Sequence, residues 1–415
     1  MYRLAMGRKA KPKVQEDKLV HLRVIEKVLE FRSQITPEES HGNTKLQLAD
    51  ALVVMLGAFF NPYVRSLRLV EQLSQTQWVQ RELSVDRVCR STLSDAFKRF
   101  SPEELIPLIQ ELMKQVPELA KKDPDLKDIC RKIVAVDGSL FTLAGEVAWA
   151  LRQKKSNGRP LSQPRLDLHL DISSFTPVGL SVAGNADESE AAELLKRIDP
   201  GVIYLLDRYY VHFELLEKIF FHESDVVLRL RSDINFTQIK KMELTQRDKD
   251  AGVTSDLIGV LPGSGGRPGG KSRTTAPPTR LLREVIVVNQ ETGEVVRLIT
   301  SLLDVPAYVI GALYRNRWQI ELFFRWLKVL SGFEHLMSTS KKGVTLEFYV
   351  AVIGCLLMHI HTGMQVNKYM LFALGQVACG QLKSETAMVM LRRIEREKSL
   401  EKARLLRKKM AAKKI

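Results

Sequence analysis

The sequence predicts an α/β fold flanked by helical regions, on three observations. Two short, continuously apolar runs, KIVAVDG and VIYLLDR, each close on an acid and have the texture of strands buried on both faces. Between them RLDLHLDIS alternates apolar and polar residues and TPVGLSVAG follows after a turn, as an antiparallel pair does. From there strand and helix alternate: ADESEAAELLKRI, with an acidic first turn, and YVHFELLEKIF read as helices, and DVVLRLR as a further strand. Strands followed by strand–helix alternation specify a sheet with helices packed on it.

Ahead of the first strand, residues 45 to 121 read as helices. LQLADALVVMLGAFF and VRSLRLVEQLSQ place apolar residues at helical spacing, and SPEELIPLIQELMKQV opens on Ser101 as N-cap with Pro102 behind it. VDRVCRSTLSDAFKRF is basic and amphipathic; it suits a recognition helix, and a packing helix better. From 232 to 303 the texture turns to strands (REVIVVN, EVVRLIT) around a loop rich in Gly, Pro and Ser, GSGGRPGGKSRTTAPP. That loop formally contains a phosphate-loop pattern, Gly265-x4-Gly270-Lys271-Ser272, but the two prolines behind it oppose the helix such a loop requires. A long helix is expected from Pro306 to Ser331, and helices after it. The expected divisions are 1–125, helical; 130–232, first part of the α/β core; 233–303, a β-rich insertion; 304–365, second part of the core; and 366–415, helical and basic.

The chain of 415 residues carries a formal net charge of +15, which favours a polyanionic partner. The charge gathers at the ends. Residues 392–415 hold 11 Lys or Arg against Glu395, Glu397 and Glu401, and the first 15 residues hold Arg3, Arg8, Lys9, Lys11 and Lys13 with no acid. Cys89, Cys130, Cys355 and Cys379 are far apart and read as reduced thiols of a cytoplasmic protein. No apolar signal segment opens the sequence, and the most apolar run, the 13 residues Phe348–Ile360, is short for a bilayer. A soluble, cytoplasmic protein without a membrane partner is expected.

The two strand-end acids are Asp137 and Asp207. In open α/β sheets ligands collect at the carboxyl edge, and two adjacent carboxylates repel unless a cation sits between them. Mg²⁺ takes hard carboxylate oxygens and leaves positions for phosphate and water. A third acid, Glu321, falls in ALYRNRWQIELFFRWLKVL. Stepping roughly 100° per residue from Tyr314 gathers Arg317, Trp318, Glu321, Arg325 and Lys328 on one stripe, with Ile320, Phe323, Phe324, Trp326, Leu327 and Leu330 opposite. An acid among cations suits a metal site that also holds a phosphate backbone; it equally suits a solvated face with an Arg317–Glu321 pair. His359 and His361 point apart on a helix and read as core or helix-end residues, and Ser139 lies in no nucleophile motif.

At these residues the sequence resembles the IS4-type insertion-sequence transposases, the family of the Tn5 transposase. Tyr314-x2-Arg317-x3-Glu321-x6-Lys328 is similar to that family's Y-R-E-K signature and RWQIE to its R-W-x-I-E core, while VDGSLF and LLDRYY resemble the segments bearing its first two acids. The resemblance covers residues 130 to 365. Asp137 and Asp207 are 70 positions apart and Asp207 and Glu321 are 114, and the β-rich block accounts for the longer gap.

The resemblance implies an RNase H-like core interrupted by a β-rich insertion subdomain, with Asp137, Asp207 and Glu321 as a DDE triad holding two Mg²⁺ or Mn²⁺ ions. It implies a DNA transposase that hydrolyses the phosphodiester at transposon ends and joins the freed 3′-hydroxyl to target DNA. Such an enzyme would work as a homodimer on paired terminal inverted repeats, at the bacterial nucleoid. Residues 1–125 would then bind DNA, Arg317 and Lys328 would hold phosphates, Arg325 would add a DNA contact, Tyr314 would help position the phosphates, and Trp318 would pack near the displaced end base. One departure concerns the hairpin-forming relatives, which carry an aromatic wedge in the insertion. Here Trp78, Trp149, Trp318 and Trp326 all lie outside residues 232–303, and Phe236 is the sole aromatic within. An RNase H-like nuclease without strand transfer, and a non-catalytic DNA-binding derivative of a transposase, stay open as alternatives.

Overall fold

The computed structural model describes residues 46–61, 64, 66–76, 80, 88–115, 123–143, 147–152, 161–184, 187–262, 280–289, 292–330, 336–364, 367–378 and 381–412. The basic N-terminal run, Trp78, Cys379 and the Gly-rich loop with its phosphate-loop pattern lie outside the described residues.

Among the described residues four helices precede the sheet: α1 (Leu48–Phe60), α2 (Leu67–Ser74), α3 (Arg90–Arg99) and α4 (Ile106–Lys114). Ser101 is an N-cap as expected, and with Glu104 it also forms a capping box, the Ser101 amide donating to Glu104 Oε1 at 2.8 Å; the 3-10 turn that it caps leads into α4. Within the basic amphipathic segment, α3 buries Leu93, Ala96 and Phe97, so its apolar side is committed to packing.

The central strand is β1 (Ile133–Leu140). After it comes a two-stranded ribbon, β2 (Leu151–Arg152) with β3 (Leu161–Ser162), and then the antiparallel pair β4 (Arg165–Asp171) and β5 (Thr176–Ala183). The short helix α5 (Glu190–Leu195) leads to β6 (Ile203–Leu206), and α6 (Phe213–Phe221) to β7 (Asp225–Arg229). β1 pairs antiparallel with β4 on one side and parallel with β6 on the other, and β6 pairs parallel with β7. The order β5-β4-β1-β6-β7 is the RNase H-like core.

The apolar runs are continuous because both sheet faces are covered. Val134, Val136, Tyr204 and Leu206 enter the core beneath α5 and α6, while Ile133, Ala135, Ile203 and Leu205 enter the opposite, helix-rich core.

The β-rich segment does not fold away from this sheet. It supplies β8 (Thr237–Lys241), α7 (Gln246–Asp250), β9 (Val253–Val260), β10 (Leu282–Val288) and β11 (Val295–Thr300). β11 pairs antiparallel with β7, so the sheet runs on as β7-β11-β10-β9-β8 to nine strands. The free edge of β7 offers unpaired backbone groups that the insertion satisfies. The outer strand β8 is exposed throughout and carries Lys240 and Lys241, which discourage further pairing. Phe236 lies half-buried, its ring against Gly259, and is committed to packing.

The chain then forms α8 (Ala307–Asn316), α9 (Trp318–Leu330), α10 (Lys341–Thr362), α11 (Lys368–Ala378) and α12 (Ser384–Ala412). The single helix expected from Pro306 to Ser331 is thus two helices with a break at Arg317. At the break the Arg317 amide donates to Tyr314 O at 3.0 Å and the Ile320 amide to Arg317 O at 3.1 Å, tight three-residue bonds in place of helical ones. α10 is 22 residues long, longer than the apolar run suggests; by length and composition it could cross a membrane, yet 83% of its apolar window is buried inside this fold. It packs against α1, α3, α4 and β5 as the spine of the helical core.

One buried ion pair fastens the inserted strands to the helices that follow. Arg283 on β10 donates to both carboxylate oxygens of Asp256 on β9, at 2.7 and 2.6 Å, and to the carbonyls of Leu303 and Val305 just before α8. Both side chains are almost fully enclosed, at 5% and 3% exposure. Asp256→Ala would leave the guanidinium uncompensated, so urea unfolding should show a loss of about 3–5 kcal/mol; a loss below about 1 kcal/mol would mean the pair holds nothing together.

Candidate active site

The β1–β6 pairing sets Ala135 opposite Leu205. Asp137 and Asp207 each stand two residues beyond these partners, so the parallel register carries both acids to the same level on neighbouring strands. There the strands part. β1 continues along β4 to Leu140, while β6 stops at Leu206 and turns away through a 3-10 turn at 208–210. Asp207 caps that turn by accepting the Arg208 amide, and Asp137 accepts the Gly138 amide at 3.0 Å.

The break between α8 and α9 delivers Arg317 to this edge. Arg317 is 8% exposed; Nη2 donates to Glu321 Oε1 at 2.8 Å, and Nη1 lies 3.4 Å from Asp137 Oδ2. Asp137, Asp207 and Glu321 all act on it electrostatically. The structure therefore brings the three predicted acids around one buried arginine. Among the described residues no three acid, histidine or cysteine side chains close into a ring that could hold a metal, and Arg317 stands between Asp137 and Glu321.

Two further polar atoms are buried at this point. Arg317 Nε has no hydrogen-bond partner, and the Tyr314 hydroxyl, although in the guanidinium's field, makes no hydrogen bond of acceptable geometry. Such atoms cost free energy unless an incoming group satisfies them.

The other predicted positions divide between the edge and its rim. Lys328 Nζ donates to Ser139 Oγ at 2.7 Å and lies 5.3 Å from the Phe141 ring, so its charge is held on β1 two residues past Asp137. Trp318 is 51% exposed with the Arg325 guanidinium 6.0 Å over its ring. On the opposite face Ile320, Phe323, Phe324 and Leu327 are buried as the helical spacing requires; the side chains of Trp326 and Leu330 lie outside the described ones.

A second group of charged residues, absent from the sequence reading, adjoins Asp137. Arg165 on β4 donates to Asp167 at 2.6 and 3.0 Å and to Glu188 O at 2.8 Å, and Glu190 at the start of α5 accepts the Tyr210 hydroxyl at 3.0 Å. Burial pushes the Asp167 carboxyl up to about 6 in spite of Arg165. The one local signal of this group is Gly138, directly after Asp137, where a side chain would meet Glu190 and Asp167.

Asp137 feels the strain of this crowding. Burial pushes its carboxyl up to about 7 from 3.8, with Arg317 opposing the shift and Glu190 and Asp207 adding to it. Unfolded, the group ionises near its ordinary value; folded, it keeps its proton to the higher one. Its contribution to stability is thus complete at low pH and lost as pH rises through about 7. In metal-free protein, the melting-temperature advantage of Asp137→Asn over the parent should grow from about pH 4 and level off above about pH 7. A constant difference across that range would contradict the assignment.

The family described as "Transposase DDE domain" matches residues 128–358, which contain all three acids. Among curated proteins the chain is 26% identical over 226 residues to y4zB of Sinorhizobium fredii (strain NBRC 101917 / NGR234), whose name carries the word transposase. That match covers 54% of this chain and 59% of y4zB. It is 25% identical over 152 residues to a protein of Geobacillus stearothermophilus named as a transposase for insertion sequence element IS5377, covering 37% of each. The matched parts therefore span 59% and 37% of the length of these relatives, less than two thirds of either. Among solved structures, the piggyBac transposase synaptic complex with hairpin DNA aligns over 91% of this chain and 80% of that one, at 12% identity and a TM-score of 0.36. With the family match spanning more than half of its length, the chain belongs to the DDE transposases.

Proposed function

We propose that this chain is a DNA transposase of the IS4 type, which cuts at transposon ends and joins them to target DNA with divalent cations held by Asp137, Asp207 and Glu321. The observation that carries this reading is the buried Arg317 shared by Asp137 and Glu321 in the field of Asp207. It marks the point where the fold requires positive charge.

The donor set fits a hard divalent cation. All the groups are carboxylates, hard oxygen donors, and burial, with Glu190 and Asp207 adding to it, pushes the Asp137 carboxyl up to about 7, so a cation at this edge would favour its charged form. Asp137 and Asp207, at one level on adjacent strands, would hold the ions, with Glu321 completing the set from α9. When bound, Mg²⁺ or Mn²⁺ supplies charge stabilisation of the attacking and leaving oxygens in phosphoryl transfer.

The side chains around the acids suit a phosphate backbone. With a cation neutralising Asp137 and Glu321, Arg317 is free to bind a phosphate oxygen, which would satisfy its Nε and the Tyr314 hydroxyl. Lys328 at the end of β1 and Arg325 on the rim add cations. Trp318 offers an exposed ring to an unpaired end base. Double-stranded DNA is the partner proposed, bound by a homodimer in the cytoplasm.

Two outcomes are expected. Glu321→Gln should retain DNA affinity while cutting of end-containing DNA with Mg²⁺ or Mn²⁺ falls by about 100-fold or more; equal cutting would remove Glu321 from the site. Trp318→Ala should weaken binding to DNA with an unpaired end by about 1–3 kcal/mol and leave fully paired duplex binding nearly unchanged in the same titration; equal losses on both would assign Trp318 to general DNA contact. Cut ends that never join target DNA would favour the nuclease alternative.

A further inference from the structure

We infer that Glu190 is a positioning residue for the acid pair, tying the stretch of β1 that carries Asp137 to the turn that carries Asp207. The inference rests on the catalytic reading above. The ladder between β1 and β6 ends at Ala135 and Leu205, two residues before the acids. Beyond it no β1–β6 backbone pairing fixes how far apart Asp137 and Asp207 stand. A metal pair demands a defined separation, so something else must set it.

Glu190 spans that gap. Its backbone is fixed at the first turn of α5, behind the N-cap Ser189. On one side Oε2 accepts the hydroxyl of Tyr210, which is 1% exposed and is the third residue after Asp207, in the same 3-10 turn. On the other side its carboxyl group rests against the backbone of Gly138, the residue after Asp137. A Cβ at Gly138 would lie 2.5 Å from Glu190 Cδ and 2.9 Å from Asp167 Oδ1, so glycine is what lets the carboxyl group in. Arg165 Nε, 2.6 Å from Asp167 Oδ1 and 3.9 Å from Glu190 Oε1, balances the charge that this brings.

The plainer role for an acid in a first helical turn is to complement the helix dipole. That role acts on stability alone. A tie between Gly138 and Tyr210 acts on cation affinity and on the chemical step. Removing partners that orient metal-binding carboxylates costs about 10–100-fold in metal affinity or activity.

The chain is to be compared with Glu190→Ala, Glu190→Gln, Tyr210→Phe and the Glu190→Ala/Tyr210→Phe double variant. The readouts are Mn²⁺ affinity by electron paramagnetic resonance without DNA, cutting rate at saturating DNA, DNA affinity and melting temperature. Glu190→Ala is expected to lose about 10–100-fold in Mn²⁺ affinity and in cutting rate, with DNA affinity within about twofold of the parent. Glu190→Gln, whose carbonyl still accepts from Tyr210, should recover most of this, and the double variant should match Glu190→Ala. The inference is overturned if folded Glu190→Ala stays within about twofold of the parent in both quantities. It is also overturned if Glu190→Gln is as impaired as Glu190→Ala, or if Tyr210→Phe adds an independent loss. Should Glu190→Ala fail to fold, Tyr210→Phe decides: it is expected to lose Mn²⁺ affinity and cutting rate in the same way, and staying within about twofold of the parent in both overturns the inference. A parent that binds Mn²⁺ but cuts no DNA sinks the transposase reading, while the Mn²⁺ measurements still decide the role of Glu190. A parent that binds no Mn²⁺ overturns both.

Discussion

Asp137 and Asp207 are set at one level by the parallel pairing of β1 with β6, and the repulsion between them has to be answered by a cation. In this structure Arg317 answers it. A carboxylate pair buried at a sheet edge is costly in isolation, because burial disfavours the charged form and each acid disfavours the other. Arg317 joins Asp137 to Glu321 and keeps the edge compact. On the proposed reading the same residue would also serve a phosphate ligand, since a guanidinium suits a phosphate as well as a carboxylate.

Much of the surrounding structure serves to bring Arg317 to that point. A straight helix would carry Tyr314, Arg317 and Glu321 on one continuous stripe. The break between α8 and α9 instead buries Arg317 and leaves Trp318 and Arg325 at the rim. The end of α8 is pinned from outside: Asn316 and Arg315 both donate to Asp123, at 2.9 and 3.0 Å, and Gln319 bonds back across the break to Asn316 at 2.9 Å. Asp123 lies just ahead of β1 in the chain, so one connection governs both the helix carrying Arg317 and the approach to the strand carrying Asp137. The Arg283–Asp256 pair does similar work from the far side by fixing the segment that leads into α8.

The strands bearing Asp137 and Asp207 were legible because a strand covered on both faces writes itself as an unbroken apolar run, and both runs end in acid. The buried face of α9 was legible for the corresponding reason of helical period. Three features were not. REVIVVN and EVVRLIT read as strands, but nothing local says whether a strand closes its own sheet or extends another, and β11 extends the core by pairing with β7. The helix break depends on Asp123, whose bond to Arg315 spans 192 positions, and a helical wheel assumes a straight axis. Glu190 meets its partners across strand and turn; its only trace in the sequence is a glycine immediately after Asp137.

The most direct test of the central claim, that these carboxylates beside Arg317 form one cation site, is anomalous diffraction from crystals of the chain grown with Mn²⁺. The account predicts a peak within about 2.0–2.3 Å of carboxylate oxygens of both Asp137 and Asp207. A peak bound elsewhere, or no peak at these acids in crystals saturated with Mn²⁺, would contradict it.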